Sequence, residues 1–220
     1  GVATLVMDYG SAGSFICSGT LMSDQRSILT AAHCVSNGSS ARPLSTAAYF
    51  YTGTDPDNIT WSQPSFSYTV ASYAVQPAYT GQVIDQNDIA VLTLDGVVDV
   101  SVRSYGLFDG DDLTGLQYDI AGYGARSDSG GGVGGNLSTG RLRHGLNRYE
   151  YRLGDADFHG AWSQLLATPA AQLEYTYLSD FDNGLAANDV GCNVAVFGLG
   201  QMPSSKVCDT GTGARDRRGA

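Results

Sequence analysis

The chain has 220 residues, of which 42% are apolar, so it can bury a substantial core, and wholesale disorder is excluded. Its net charge of −10 argues against nucleic acid and against an anionic membrane as partners, because both are bound by clustered Lys and Arg. No apolar run approaches the roughly 18–20 residues of a membrane span. We therefore expect a globular domain that binds neither nucleic acid nor membrane.

Short stretches of alternating or β-rich sequence recur along the chain, and turn residues separate them. In chain order, strands are predicted over residues 2–7, 15–21, 27–30, 47–52, 66–73, 89–94, 116–123, 149–153, 174–178 and 193–199. A short helix or two is predicted within residues 155–171, and SDSGGGVGG at 127–135 predicts a flexible loop. Many short strands joined by turns predict an all-β sandwich or barrel of antiparallel strands.

The four cysteines fall into two local groups, Cys17 with Cys34 and Cys192 with Cys208. Neither group has the C-x-x-C spacing of common zinc sites, so zinc is a poor interpretation. Two local disulfides in an exported protein account better for these residues, and we expect a secreted or periplasmic protein.

The segment CSGTLMSDQRSILTAAHC, from Cys17 to Cys34, contains the first candidate for chemistry. His33 ends an apolar run on a turn of small residues, beside a cysteine that could hold the turn against a barrel. General-base catalysis needs such rigidity, because an imidazole must meet both a hydroxyl and a carboxylate at hydrogen-bond distance. A histidine taken alone is more often structural.

Asp88 is the second candidate, at the head of the apolar segment IAVLTL. A carboxylate in this position is unusual unless its charge has a partner, because burying it unpaired is costly. The alternative interpretation is an ordinary aspartate that begins a strand.

These segments resemble the chymotrypsin-like serine peptidases. LTAAHC at residues 29–34 is similar to the motif of the family's catalytic histidine. CSGTL at residues 17–21 is similar to the strand whose cysteine bonds the one after that histidine. NDIAVLTL at residues 87–94 is similar to the strand that begins with the family's catalytic aspartate, in the expected order along the chain.

The resemblance implies that His33 is a general base, that Asp88 orients its ring and that Cys17–Cys34 is a disulfide. It also implies two antiparallel six-stranded β-barrels. The first would occupy residues 1–110, and the second, incomplete in this chain, residues 111–220. The implied function is that of a trypsin-like serine endopeptidase, which hydrolyses peptide bonds of a protein or peptide substrate by acyl transfer.

The second half resembles the family less sharply. AGYG at residues 121–124 is similar to the strand that opens the second barrel, and residues 180–192 and 208–211 are similar to bacterial members. The family's Gly-Asp-Ser-Gly-Gly-Pro motif supplies the nucleophile and the oxyanion-hole donors. Its one partial counterpart, DSGG at residues 128–131, lacks the first Gly and the Pro, so a flexible loop is the better interpretation of Ser129.

We therefore expect the nucleophilic serine to lie beyond Ala220 and this chain alone to be inactive. Three interpretations of the missing serine are open. In the first, the chain is the first piece of a protease nicked in the Arg-rich segment 215–220, with the serine on a companion chain. Alternatively it is a truncated or frame-shifted product, or a natural serine-less homologue that acts as a non-catalytic binding module. The amino end also departs from the family, since Gly-Val-Ala-Thr replaces Ile-Val-Gly-Gly.

An acidic turn between residues 180 and 189 is a candidate calcium site. Asp180, Asp182 and Asp189 crowd carboxylate oxygens around a glycine turn, and calcium prefers oxygen ligands. A solvated acidic loop is the alternative interpretation. The peptidase chemistry itself requires no cofactor.

Overall fold

Six strands form a closed antiparallel barrel in the computed structural model of the chain, which describes residues 1–39, 42–53, 62–82, 84–125, 139–140, 142–180 and 189–200. The strand order around the barrel is β1-β2-β3-β6-β5-β4. The strands are β1 (Val2–Asp8), β2 (Ser14–Leu21), β3 (Ser27–Thr30), β4 (Ser45–Phe50), β5 (Phe66–Val75) and β6 (Ala90–Leu94).

Alternating side chains build the barrel core. In β6, Ala90, Leu92 and Leu94 are buried, while Val91 and Thr93 between them are partly exposed. Successive side chains of a strand point to opposite faces, so the apolar set faces inward. Each fully buried Leu or Phe stabilises the fold by about 1.5–3 kcal/mol. Other strands add the buried side chains of Leu5, Met7, Leu21, Ile28, Ala48 and Phe50.

The described part of the second half contains two two-stranded sheets. β7 (Gln117–Gly122) pairs with β8 (Arg143–Arg148), and β9 (Tyr151–Arg152) pairs with β10 (Tyr177–Leu178). A second closed barrel is not seen within the described ranges, so the two-barrel architecture stays a prediction. No helix in those ranges is long and apolar enough to cross a membrane.

Short helices follow β9 in the segment that was predicted to be helical. They are α1 (Ala161–Leu166) and α2 (Ala170–Leu173). Around them the rings of Tyr151, Phe158 and Trp162 pack with centroids 5.0–6.0 Å apart, in a second apolar core. In this part of the chain, the burial of aromatic rings stabilises the fold, whereas in the barrel the inward-facing side chains of alternating strands do so.

The predicted strand over residues 193–199 was wrong. The chain there is helical, with α3 (Val190–Asn193) running into a π-helical turn, Val194–Gly198. The side chain of Asp189 accepts a hydrogen bond from the N–H of Cys192 and so caps α3. A short apolar run is compatible with a buried strand and with a buried helix. Here the hydrogen bond to Asp189 stabilises the first turn of a helix.

Ser18 in β2 joins the barrel to the segment after β7. Its Oγ accepts a hydrogen bond from the N–H of Tyr123 at 2.9 Å, and its carbonyl accepts one from Oγ1 of Thr30 at 2.9 Å. Gly122 permits this approach, since a Cβ there would lie 3.0 Å from Oγ of Ser18. Tyr123 is 1% exposed, so its amide depends on the serine for a partner.

Ser18→Ala should lower the free energy of unfolding by about 1–3 kcal/mol, because the amide of Tyr123 would stay buried without an acceptor. Ser14→Ala, at an exposed position of the same strand, is the matched control and should change it by less than about 0.5 kcal/mol. Urea denaturation of both variants measures the difference. Equal stabilities would show that this bond does not hold β7 to the barrel.

Candidate active site

His33 lies in a 3₁₀ turn, Ala32–Cys34, that follows β3 directly. The next residue, Cys34, is bonded to Cys17 in the neighbouring strand β2. The hydroxyl of Tyr9 donates to the carbonyl of Cys34 at 3.0 Å. The imidazole is therefore carried by a segment that is tied to the barrel wall on both sides.

The register of β3 with β6 brings His33 and Asp88 together. In this antiparallel pair Thr30 faces Ala90, so the end of β3 lies beside the start of β6. His33 follows Thr30 by three residues, and Asp88 precedes Ala90 by two. Two residues that are 55 positions apart in the sequence thereby meet at one end of the barrel.

Both carboxylate oxygens of Asp88 contact His33. Oδ1 accepts a hydrogen bond from the backbone N–H of His33 at 2.8 Å, and Oδ2 lies 2.7 Å from Nδ1 of the ring. The side chain of Asp88 is 10% exposed, whereas that of His33 is 43% exposed. A nearly buried carboxylate needs hydrogen-bond donors, and His33 supplies one donor to each oxygen of Asp88.

The contact with Asp88 determines which nitrogen of His33 is basic. An ionised carboxylate only accepts hydrogen bonds, so Nδ1 carries the proton and Nε2 keeps its lone pair. Within the part of the chain that the structure describes, the hydrogen bonds of His33 are the two to Asp88. The half-exposed ring can thus take a proton from a hydroxyl placed beside Nε2.

Two glycines let the loop after His33 approach the loop before Asp88. Gly38 and Gly81 have φ angles of +86° and +88°, which side chains with a Cβ rarely adopt. A Cβ on Gly81 would clash with the carbonyl of Asn37, and one on Gly38 would lie 2.8 Å from the nitrogen of Gly81. Neither glycine could be singled out from the sequence, because their role depends on a contact between distant loops.

A family model described as Trypsin matches residues 3–148, more than half of the chain, and this range includes His33 and Asp88. The chain belongs to the trypsin family. The resemblance inferred from the motifs is therefore confirmed at the level of the family. Its restriction to bacterial members stays a prediction. No curated protein matches the sequence.

Three solved structures are similar to this trypsin-family chain at low sequence identity. HL collagenase is 18% identical, with a TM-score of 0.57 over 84% of this chain and 69% of that one. GrC is 20% identical, with a TM-score of 0.52 over 76% and 64%. The scabies mite inactivated protease paralogue S-D1 is 13% identical, with a TM-score of 0.57 over 82% and 68%. At these identities the likeness shows the fold alone, and the chain spans about two thirds of each structure's length.

The remaining predicted site residues lie in the second half. Cys192 is disulfide-bonded, while its predicted partner Cys208 lies outside the described residues. Ser129 and Asp182 lie outside them as well. Asp180 and Asp189, the other two predicted calcium ligands, are described and lie close together.

Asp180 and Asp189 share a cluster with Glu150, which the sequence analysis missed. Oxygens of the three carboxylates lie within 4.8 Å of one another. The N–H of Asp180 donates to Oε1 of Glu150 at 2.8 Å, and a Cβ on Gly191 would clash with the Glu150 carboxylate. Glu150 precedes the acidic turn by 30 residues, so no local pattern of charges could reveal the contact.

Burial, followed by a side-chain hydrogen bond with Asp180 and by the charges of Asp180 and Asp189, raises the pKa of Glu150 to about 8. Glu150 is 5% exposed, and the ionised form would lose most of its hydration there. At neutral pH and without a cation, the proton on Glu150 therefore relieves the repulsion among the three carboxyl groups.

Gly81→Ala should destabilise the protein more than a glycine change without a contact does. Gly160→Ala is the matched control, because Gly160 is left-handed, with a φ of +78°, and no atom lies within 4 Å of the added Cβ. We expect Gly160→Ala to lower the free energy of unfolding by about 1–2 kcal/mol through backbone strain. Gly81→Ala should lower it further, since its methyl group also pushes on Asn37. Equal losses in urea denaturation would show that the loop contact contributes nothing.

The free energy of unfolding should fall as the pH rises from about 4.5 to about 8 in a buffer without divalent cations. In this window the folded chain keeps the proton of Glu150 that the unfolded chain has released, so rising pH favours unfolding. Glu150→Gln cannot titrate and should flatten the slope, while exposed Glu174→Gln should not. Urea denaturation across this pH range measures the slopes. An unchanged slope in Glu150→Gln would contradict this account.

Proposed function

We propose that the chain carries the general base and the orienting carboxylate of a serine endopeptidase, with His33 as the base and Asp88 as its partner. The observation that supports the proposal is the 2.7 Å contact between Nδ1 of His33 and Oδ2 of Asp88, within a trypsin-family barrel. The nucleophilic serine would come from outside the 220 residues. The substrate would be a protein or peptide chain.

In the proposed reaction, Nε2 of His33 takes the hydroxyl proton as the serine oxygen attacks the peptide carbonyl. The same nitrogen then gives this proton to the leaving amine, and an acyl-enzyme remains. A water molecule then attacks the acyl group while His33 takes its proton. The bond between the acyl carbon and the serine oxygen breaks, His33 returns the proton to that oxygen, and the acid is released. Asp88 stays ionised throughout and stabilises the imidazolium that forms twice in the cycle.

The alternative function is that of a non-catalytic homologue that binds proteins instead of cleaving them. Among the described residues, no serine hydroxyl is hydrogen-bonded to His33, which fits this alternative. One of the similar structures is named an inactivated protease paralogue, so the fold also occurs in a protein described as inactive.

Three further predictions belong to the peptidase proposal. The protein is exported to a secreted or periplasmic location, where the Cys17–Cys34 disulfide is stable. A companion chain carries the serine if the protein is nicked. Calcium binds at Asp180, Asp182 and Asp189, with Glu150 as an added ligand once it releases its proton. Calcium should then stabilise the wild-type chain against urea more than it stabilises Glu150→Gln, because the variant lacks one carboxylate ligand.

The 220-residue chain alone should hydrolyse no peptide and should not react with a fluorophosphonate probe for active serines. The product of the complete gene, or a companion chain that co-purifies, should take the label. In that protein His33→Ala and Asp88→Asn should each lower kcat/KM by about 10⁴-fold, because each removes a member of the catalytic unit. Exposed His159→Ala is the control and should leave kcat/KM unchanged.

Mass spectrometry identifies the serine that carries the fluorophosphonate label. Labelling of Ser129 would overturn the placement of the nucleophile. A complete gene product with no reactive serine would favour the binding module over the peptidase.

A further inference from the structure

In its described residues, 76–82 and 84–89, the loop that carries Asp88 has no regular secondary structure. β5 ends at Val75 and β6 begins at Ala90, so Asp88 lies at the end of a long connection. Loops of this kind are usually the mobile part of a fold. Asp88 must nevertheless stay within hydrogen-bond distance of His33, so something in the loop has to hold it.

Asp85 is the buried centre of this loop, with 6% of its surface exposed. Its Oδ2 accepts from the N–H and Oγ1 of Thr80, at 3.2 and 2.7 Å. Its Oδ1 accepts from the N–H and Nδ2 of Asn87, at 2.8 and 2.9 Å. One carboxylate thereby ties the beginning of the loop to the residue immediately before Asp88.

The backbone of Asp85 also contacts the catalytic aspartate directly. Its carbonyl accepts a hydrogen bond from the N–H of Asp88 at 2.9 Å. Burial alone would raise the pKa of Asp85, but the hydrogen bonds from Asn87 and Thr80 outweigh it and lower the pKa. The side chain therefore remains an anion, which accepts stronger hydrogen bonds than a neutral group.

A second set of bonds anchors the loop to α2 in the other half of the chain. Nε2 of Gln172 donates to Oγ1 of Thr80 at 3.3 Å, and the N–H of Gln86 donates to the carbonyl of Gln172 at 2.9 Å. The N–H of Tyr175 donates to Oε1 of Gln86 at 3.1 Å. The loop closed by Asp85 is thus docked as a unit on the α2 segment.

We propose that Asp85 is a positioning residue for the pair His33 and Asp88. It holds the loop in the one conformation that presents the Asp88 carboxylate to the histidine, and it touches neither the ring nor a substrate. Only its effect on catalysis rests on the proposed peptidase function. Its effect on the His33–Asp88 contact does not.

Asp85→Asn tests the proposal, because it keeps the shape of the side chain and replaces one accepting oxygen with a donating NH₂. Both oxygens face N–H donors, so the amide meets a donor in either orientation. Asp24→Asn is the matched control. Asp24 accepts bonds from Arg26 and Ser27 in the exposed turn before β3, at the end of that strand opposite His33.

The first measurement is the ¹H NMR signal of the Nδ1–H of His33 in the 220-residue chain, identified by its loss in Asp88→Asn. We expect Asp85→Asn to lose or shift this signal while the dispersed spectrum of the folded barrel remains, and Asp24→Asn to keep it. If folded Asp85→Asn keeps the signal unchanged, Asp85 only stabilises its loop and the proposal is wrong.

Should Asp85→Asn fail to fold, a milder pair of variants gives the same test. Thr80→Val removes the hydroxyl that donates to Asp85, whereas Thr80→Ser retains it. The Nδ1–H signal should shift in Thr80→Val and persist in Thr80→Ser. The same signal in both variants would overturn the proposal.

The second measurement is made on the complete peptidase. Asp85→Asn should lower kcat by about tenfold to 100-fold with KM little changed, as expected when a catalytic group is misplaced by a fraction of an ångström to about 1 Å. Full activity of Asp85→Asn alongside an inactive Asp88→Asn would refute the positioning role and leave the peptidase proposal standing. Full activity of Asp88→Asn would instead refute the peptidase proposal.

Discussion

The two hydrogen bonds between His33 and Asp88 are the contact on which the geometry of this end of the barrel depends. A carboxylate that is 10% exposed must find donors, and both of its oxygens find them on one residue. This requirement fixes the distance between the turn after β3 and the loop before β6. The disulfide at Cys34 and the contact of Gly38 with Gly81 also hold the turn that carries His33 close to the loop that carries Asp88.

The barrel could be predicted from the sequence because its strands have one buried and one exposed face. β3 was predicted with its observed ends, and β1, β2 and β5 within two residues of theirs. The second half gives weaker signals. β8, with the sequence RHGLNR, has no apolar alternation and is a strand because it pairs with β7. β9 and β10 lie within the strands predicted over residues 149–153 and 174–178, but each is only two residues long in the structure.

At the site, the two residues proposed to carry the chemistry could be chosen from the sequence, but the residues around them that shape the loops could not. His33 and Asp88 stand in motifs with a recognisable order along the chain. Gly81 acts through its φ angle and a loop contact, and Asp85 through bonds to Thr80 and Asn87. The Asp-Gln-Asn pattern at residues 85–87 is an available signal, since aspartate often bonds the backbone two residues on. This pattern indicates a turn, but it does not indicate that Asp85 is buried or that the turn adjoins the pair His33 and Asp88.

Two buried carboxylates of this chain show that donors, and not burial alone, decide whether a buried acid keeps its charge. Asp85 and Glu150 are 6% and 5% exposed, so burial opposes ionisation of both to a similar degree. Asp85 accepts four hydrogen bonds and has a lowered pKa, whereas Glu150 faces two further carboxylates and its pKa is raised to about 8. Asp88 shares the arrangement of Asp85, because each of its oxygens accepts a bond from His33. In the reaction proposed above, Asp88 has to remain an anion while His33 gains and loses a proton. Donors face both oxygens of Asp88, as they do at Asp85, whereas Glu150 faces two other carboxylates.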